Sequence, residues 1–178
     1  MGEKIIHEIP PVWDSESRVL ILGTMPSPKS REAQFFYMHP QNRFWKTLSA
    51  VFGESFSLLN NAADKAAAIK ERKDFLLAHN IALWDVLSSC NINGAADASI
   101  KNAEANDFSP IFSASKIHRV FCTGKTAFSL WNRLCAPKYE ALFAVECAGL
   151  PSTSPANAAW SLEKLISAYA VIKDAIAN

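Results

Sequence analysis

The sequence predicts an α/β fold in which a largely parallel sheet of four strands is covered by helices. Short apolar runs alternate along the chain with longer segments whose apolar residues recur every three or four positions, the order that strand–helix–strand crossovers impose. Each short run ends at a glycine or a polar cluster, which holds it to strand length. Size agrees with one such unit: 178 residues, 49% of them hydrophobic, bury a substantial core and suit a single domain over residues 1–178 better than two.

The first strand is RVLILG, residues 18–23, brief, apolar and closed by Gly23. NRFWKTLSAVFG, 42–53, is the first helix, with Asn42 placed to cap its start and Gly53 to stop it. A second helix is expected over ADKAAAIKERKDFLLAHN, 63–80, followed at once by the strand IALWDVL, 81–87. The longest polar stretch, NINGAADASIKNAEANDFSP, 91–110, is expected to cross one face of the domain. HRVFCTG, 118–124, is a third strand that runs straight into a glycine loop, and GKTAFSLWNRLC, 124–135, is the helix after it. FAVECAG, 143–149, is the fourth strand, and SLEKLISAYAVIKDAIA, 161–177, is a closing helix capped by Ser161.

Charge and motif content exclude several function classes. Lysine and arginine total 18 against 17 acidic residues, so the chain as a whole exerts no pull on nucleic acid or anionic membrane, and any DNA contact is local. Cys90, Cys122, Cys135 and Cys147 show no CxxC spacing, and three of them lie in apolar surroundings, as reduced thiols of a cytoplasmic protein do. No stretch reaches about 18 uninterrupted apolar residues. The N-terminal MGEKIIHEIPPVW lacks the cationic start and apolar run of a signal peptide, so neither secretion nor membrane spanning is expected. His7, His39, His79 and His118 have no HxxxH or HxH relation and no zinc spacing with a cysteine, so no metal is expected. GxGxxG and GxxxxGK[ST] are both absent, which removes support for a nucleotide cofactor held in those ways.

In parallel sheets ligands bind beyond the carboxyl ends of the strands. Beyond the first strand lies GTMPSPKSREAQFFYMHPQNRFW, beyond the second SSCNINGAADASI, beyond the third GKTAF and beyond the fourth GLPSTSPANAAW. Short residues with exposed backbone N–H groups recur in them, and such groups suit phosphate oxygens. FFYMHPQNRFW, 35–45, sets five aromatic rings among His39, Pro40, Gln41, Asn42 and Arg43. That mixture is either core packing or a set of rings of which some stand at the mouth of a cleft to receive a flat ligand.

GTMPSPKS, FFYMHPQNRFW and GLPSTSPAN followed by SLEKLISAY resemble, in the same order, segments of the uracil-DNA glycosylase superfamily in its mismatch-specific branch. LWDVLSSC and LPSTSPAN are similar to the hypoxanthine-DNA (deoxyinosine) glycosylase group within that branch. The resemblance spans the chain from the first strand to the last helix. It implies a three-layer αβα sandwich with a central, mostly parallel four-stranded sheet. It also implies a monofunctional enzyme of base-excision repair, without cofactor or metal, that hydrolyses the N-glycosidic bond of a base flipped out of DNA. Hypoxanthine or uracil is the expected base, DNA with a damaged or mismatched base the expected partner, and a monomer the expected state.

Carried onto this sequence, the resemblance places Gly23, Thr24, Met25 and Pro26 around the base, Tyr37 on its π-face, and Asp85 and Thr123 at its edge. Backbone amides near Thr24, Met25 or Ser27 would polarise the base carbonyl. Phe44 and Trp45 start the following helix and pack it on the sheet. Asn42 is the expected catalytic residue, its amide reaching the attacking water or the leaving base. It also fits a helix cap, and the two roles are compatible because the carbonyl can cap while the amide donates. Asp85, the only acid this reading puts near a strand end, reads a base edge, orients a water, or closes the strand as a turn residue. Ser27, Ser152 and Ser154 would contact phosphates, while Thr153, Ala156 or Asn157 would enter the gap left in the stack. Lys29, Arg31 and Lys125 would add positive charge along the same edge.

Two positions depart from the branch. Met25 stands where relatives hold water with the Asn of GINPG, and a thioether cannot position water. Thr123 stands where they read the base with the Asn of FNG, and a hydroxyl makes one contact where an amide makes two. Both departures support a second reading, a nucleic-acid-binding member of the fold that has kept the cleft and lost the chemistry. A serine hydrolase is a weaker third, because no serine has a histidine and an acid in a recognisable arrangement.

Overall fold

The computed structural model describes residues 2–56, 64–94 and 96–177. In chain order these form β1 (Glu3–Ile6), β2 (Val19–Gly23), α1 (Pro28–Ala33), α2 (Phe44–Phe52), α3 (Lys65–Ala78), β3 (Ile81–Asp85) and β4 (Leu87–Ile92). There follow β5 (Lys101–Ala105), α4 (Ser109–Ala114), β6 (Arg119–Thr123), α5 (Lys125–Leu134), α6 (Ala136–Phe143), β7 (Glu146–Leu150) and α7 (Leu162–Ala177).

The central sheet is four-stranded and wholly parallel, in the order β3-β2-β6-β7. Strands β2, β3 and β6 read as apolar runs because both their faces are covered, while only Leu150 of the edge strand β7 is buried. Leu20, Leu22, Val120 and Cys122 point into a core with Ile111 and Phe112 of α4 and Leu130 and Trp131 of α5. Val19, Ile21, Leu83 and Phe121 point the other way, onto Phe44 and Leu48 of α2, Phe75 and Leu76 of α3, and Leu165 and Tyr169 of α7. Each fully buried large side chain contributes about 1.5–3 kcal/mol. The three-layer αβα arrangement expected from the sequence is therefore present.

The element boundaries hold in part. Gly53, at φ +72°, ends α2, and the Ser161 hydroxyl accepts the Lys164 N–H at 3.3 Å at the start of α7. Helix α2 begins at Phe44 with Arg43 in the cap position, so Asn42 lies one residue outside the cap expected of it, although its Oδ1 still accepts the Phe44 N–H at 2.9 Å. Residue 63, in the expected second helix, lies outside the described residues. The fourth strand starts at Glu146 rather than at 143 because Phe143 still belongs to α6.

One feature was not expected. The run 81–87 holds the whole of β3 and the first residue of β4: the chain leaves the parallel sheet at Val86 and enters an antiparallel sheet of order β1-β4-β5. Val86 donates to Gly23 O at 2.9 Å, and the buried Asn106 side chain bonds Asp85 O and Leu87 O, both at 3.0 Å, bracketing the turn. Half of the polar stretch 91–110 thus belongs to β4, a short 3₁₀ turn and β5. Strand β5, KNAEA, is mostly exposed and lacks the apolar alternation that would reveal it.

The four cysteines are free, with Cys90, Cys122 and Cys135 buried. Among the described residues no helix is long and apolar enough to cross a membrane.

Candidate active site

A cleft of about 160 Å³ opens at the carboxyl ends of the parallel strands. Gly23 to Ser27 line it from the end of β2, Tyr37 and Asn42 from the aromatic segment, Asp85 from β3, Thr123 from β6, and Ser152 to Ser154 from the loop after β7. Of the site residues the sequence pointed to, Asn157, Ala156 and the cations Lys29, Arg31 and Lys125 are outside this lining, and the others are in it.

At the end of β2 a side chain would have to displace two groups of the site. A Cβ on Gly23 would stand 2.3 Å from Asp85 Oδ1 and 2.8 Å from the Tyr37 hydroxyl. Asp85 faces Gly23 across the β2–β3 register. Its side chain is 6% exposed, and its Oδ2 lies 2.8 Å from Nε2 of His7, whose side chain is fully buried. His7 follows β1, and its N–H bonds Ser88 O at 2.8 Å, so the unexpected antiparallel sheet is what brings it here. Phe36 and Trp84 flank the ring. Nothing in the sequence marked His7 beyond its lack of a metal pattern.

Tyr37 adopts the left-handed region at φ +54°, a conformation that costs a non-glycine residue about 1–2 kcal/mol. Its ring stacks on Phe44 with centroids 3.9 Å apart and planes 13° apart. Phe44 is fully buried at the start of α2, as expected, while Tyr37 remains partly exposed in the cleft wall. Burial first, and the Asp85 charge second, hold the Tyr37 phenol well above its ordinary range, so it stays a donor. It bonds Thr123 Oγ1 at 2.8 Å, and that hydroxyl in turn donates to Leu22 O at 3.3 Å. Thr123 was expected to meet the base edge with its hydroxyl. Its proton is committed inward, and only a lone pair remains to offer.

Asn42 is fixed by two donors. Its Oδ1 accepts the Phe44 N–H and the Thr153 hydroxyl, each at 2.9 Å. A backbone N–H needs an acceptor, so this settles which end of the amide faces inward. Nδ2 has no partner among the described residues, and the side chain lines the cleft.

The loop after β7 is held by Arg43, which the sequence had placed only within a polar motif. Its guanidinium donates to Ser154 O at 2.7 Å, Asn157 O at 3.1 Å, Thr153 O at 3.3 Å and Trp160 O. Thr153 is 2% exposed, and Asn157 turns its amide to Ser152 O at 2.9 Å. Both were expected at the stack; both instead hold the loop, and the exposed tip is Pro155–Ala156. Ser152 and Ser154 each accept a backbone N–H at 3.2 Å, from Ser154 and Ala156, and keep their own protons to give. Ser27 caps α1 and bonds Ser30 Oγ at 3.1 Å. Of the expected cations, Lys29 pairs with Glu32, Arg31 bonds Pro26 O at 3.1 Å, and Lys125 is exposed.

Asp85 is not the only acid here. Asp97, from the turn between β4 and β5, also lines the cleft and accepts the Thr24 hydroxyl at 3.0 Å. Burial raises its carboxyl above the ordinary range, against the lowering effect of the Thr24 bond. It lay inside the polar stretch, 12 residues after Asp85 in the chain, and only the fold brings the two together. Met25 lines the cleft and packs on the core beneath it.

The family model of the uracil DNA glycosylase superfamily matches residues 10–174. A hypoxanthine DNA glycosylase of Methanosarcina acetivorans is 35% identical over 156 residues, 85% of this chain and 88% of that protein. One from Methanosarcina barkeri is 31% identical over 141 residues, 79% and 84% of the two chains. The solution NMR structure of a Methanosarcina acetivorans protein assigned as a uracil DNA glycosylase superimposes with a TM-score of 0.75 at 28% identity, covering 95% of this chain and 97% of the other. With the parallel sheet and the cleft at its carboxyl edge, these likenesses establish that the chain belongs to the uracil DNA glycosylase superfamily and is a DNA glycosylase of base-excision repair.

Proposed function

We propose that the chain excises deaminated bases, hypoxanthine foremost, by hydrolysing the N-glycosidic bond of a nucleotide flipped into the cleft. The observation that carries this reading is the state of Asn42, whose Oδ1 is immobilised by two donors while Nδ2 is left without a partner at the cleft. An amide held in this way costs no reorganisation when it meets a water or a departing base. It also weighs against the reading in which the chemistry is lost. The hypoxanthine DNA glycosylases similar to this chain support the choice of base.

In this mechanism Tyr37, backed on one face by Phe44, supports the extruded base with the other. Departure of the base builds positive charge on the sugar and negative charge on the base. Asn42 Nδ2 and the backbone amides of the Thr24–Ser27 segment answer the second, and a water takes the sugar carbon. Among the described residues, none that lines the cleft is a lysine, which supports hydrolysis by water over attack by an amine. The hydroxyls of Ser152 and Ser154 bind phosphates beside the lesion, and the Pro155–Ala156 tip enters the gap in the stack. One chain over residues 1–178 supplies all of these groups, so a monomer acting as a single domain in the cytoplasm suffices.

Labelled duplexes carrying hypoxanthine, uracil, xanthine or a G·T mismatch, scored for abasic sites, test the reading. Release is expected to be fastest from hypoxanthine. Binding without release from any of the four would contradict it.

A further inference from the structure

We propose that the buried His7–Asp85 pair is the element that recognises deamination, Asp85 Oδ1 accepting the lactam N–H that a deaminated base carries and its parent lacks. This rests on the reading of the cleft as the pocket for a flipped base.

The geometry divides the carboxylate into two unlike oxygens. Oδ2 is held at 2.8 Å by His7 Nε2, from a side chain with no solvent exposure. His7 Nδ1 is buried without a partner, so the tautomer with its proton on Nε2 is the one that leaves no ring N–H stranded. Oδ1 has no hydrogen-bond partner among the described residues. It stands above Gly23, at the one place in the lining where any side chain would collide with it. The cleft therefore has at its floor a rigid acceptor and no side-chain donor beside it, because the Thr123 proton goes to Leu22 O and that of Tyr37 to Thr123.

Deamination of adenine to hypoxanthine changes N1 from a bare acceptor to an N–H donor, and deamination of cytosine to uracil does the same at N3. A fixed acceptor attracts the products and repels the lone pair of the parents, and a buried polar group left facing a like group is a costly mismatch. Guanine shares the N1–H, so Asp85 separates hypoxanthine from adenine and not from guanine. His7 is a positioning residue in this scheme: it stops Asp85 from turning away.

The test compares single-turnover release of hypoxanthine with that of unsubstituted purine, whose N1 is a bare acceptor, from otherwise identical duplexes. The ratio of the two rates is taken for each variant and divided by the wild-type ratio, which cancels the intrinsic lability of the bases. Asp85→Asn, which can turn an N–H toward N1, is expected to lower the ratio at least about tenfold. His7→Phe, which keeps the ring packing but removes the donor, should lower it as well, while His7→Gln, which keeps a donor, should restore much of it. Melting curves identify variants that fail to fold, and if Asp85→Asn is among them the comparison of His7→Phe with His7→Gln decides. A ratio unchanged in the folded variants, with both rates falling alike, would overturn the proposal while leaving the glycosylase reading intact. No release of hypoxanthine by the wild type would overturn both.

Discussion

At the scale of single residues, two side chains from one segment carry the proposed chemistry. Tyr37 and Asn42 sit in FFYMHPQNRFW, and the structure puts both at the cleft. His7 and Asp97 were not legible, because neither belongs to a motif and only the antiparallel sheet brings Asp97 to the cleft and His7 to the Asp85 carboxylate behind it. Tyr37 is the residue whose role can be separated most cleanly. Removing a ring that stacks on a base typically costs about 1–3 kcal/mol, or about five- to 150-fold. Tyr37→Ala is therefore expected to slow base release about five- to 150-fold more than Tyr37→Phe. The latter loses only the bond to Thr123, worth about 1 kcal/mol of stability. Single-turnover rates alongside melting temperatures make the comparison, and equal rates for the two variants would remove Tyr37 from the base pocket.

At the scale of elements, the important unit is the pair formed by the start of α2 and the loop after β7. Arg43 binds four carbonyls of that loop, Thr153 ties it to Asn42, and Tyr169 of α7 donates to Pro151 O at 2.8 Å. The sequence showed both segments as family motifs but could not show that one clamps the other, since the two are 110 residues apart at the Arg43–Thr153 bond. Charge-assisted hydrogen bonds contribute about 1.5–3 kcal/mol each when buried, and less where water can replace them. Arg43→Ala should lower stability by about 2 kcal/mol, a fall of about 4–8 °C in melting temperature. Base release should fall further than that loss explains, because Asn42 loses its fixed setting. Arg43→Lys is expected to rescue little, since one ammonium cannot reach carbonyls fanned over Thr153 to Trp160. Full activity in Arg43→Lys would show that the clamp does not set the catalytic amide.

At the scale of the whole molecule, the parallel sheet was legible because burial on both faces writes β2, β3 and β6 as short apolar runs. The antiparallel sheet was not, because β5 is an exposed edge and β4 follows β3 with only Val86 between them. That second sheet carries one of the cleft acids, Asp97, at a cost in stability. Burial raises the Asp97 carboxyl above its unfolded value, so the folded state binds the proton more tightly. The favourable contribution is complete below the usual carboxylate range near about pH 4 and is lost as pH rises through the raised value. Asp97→Asn does not titrate and can still accept from Thr24. It should melt above the wild type at neutral pH, with the difference shrinking as pH falls toward about 4. A difference that grows on acidification would reverse the sign of this account.

The central claim is that Asn42 holds the loop with one end of its amide and acts on the nucleotide with the other. Asn42→Asp keeps an acceptor for Phe44 and Thr153 and removes only the N–H donor. The direct measurement is single-turnover release of hypoxanthine from a duplex by wild type and Asn42→Asp, with DNA affinity and melting temperature recorded for both. The account expects a near-normal melting temperature with release slowed at least about tenfold. An Asn42→Asp variant that melts early yet releases the base at the wild-type rate would reduce Asn42 to a structural residue and contradict it.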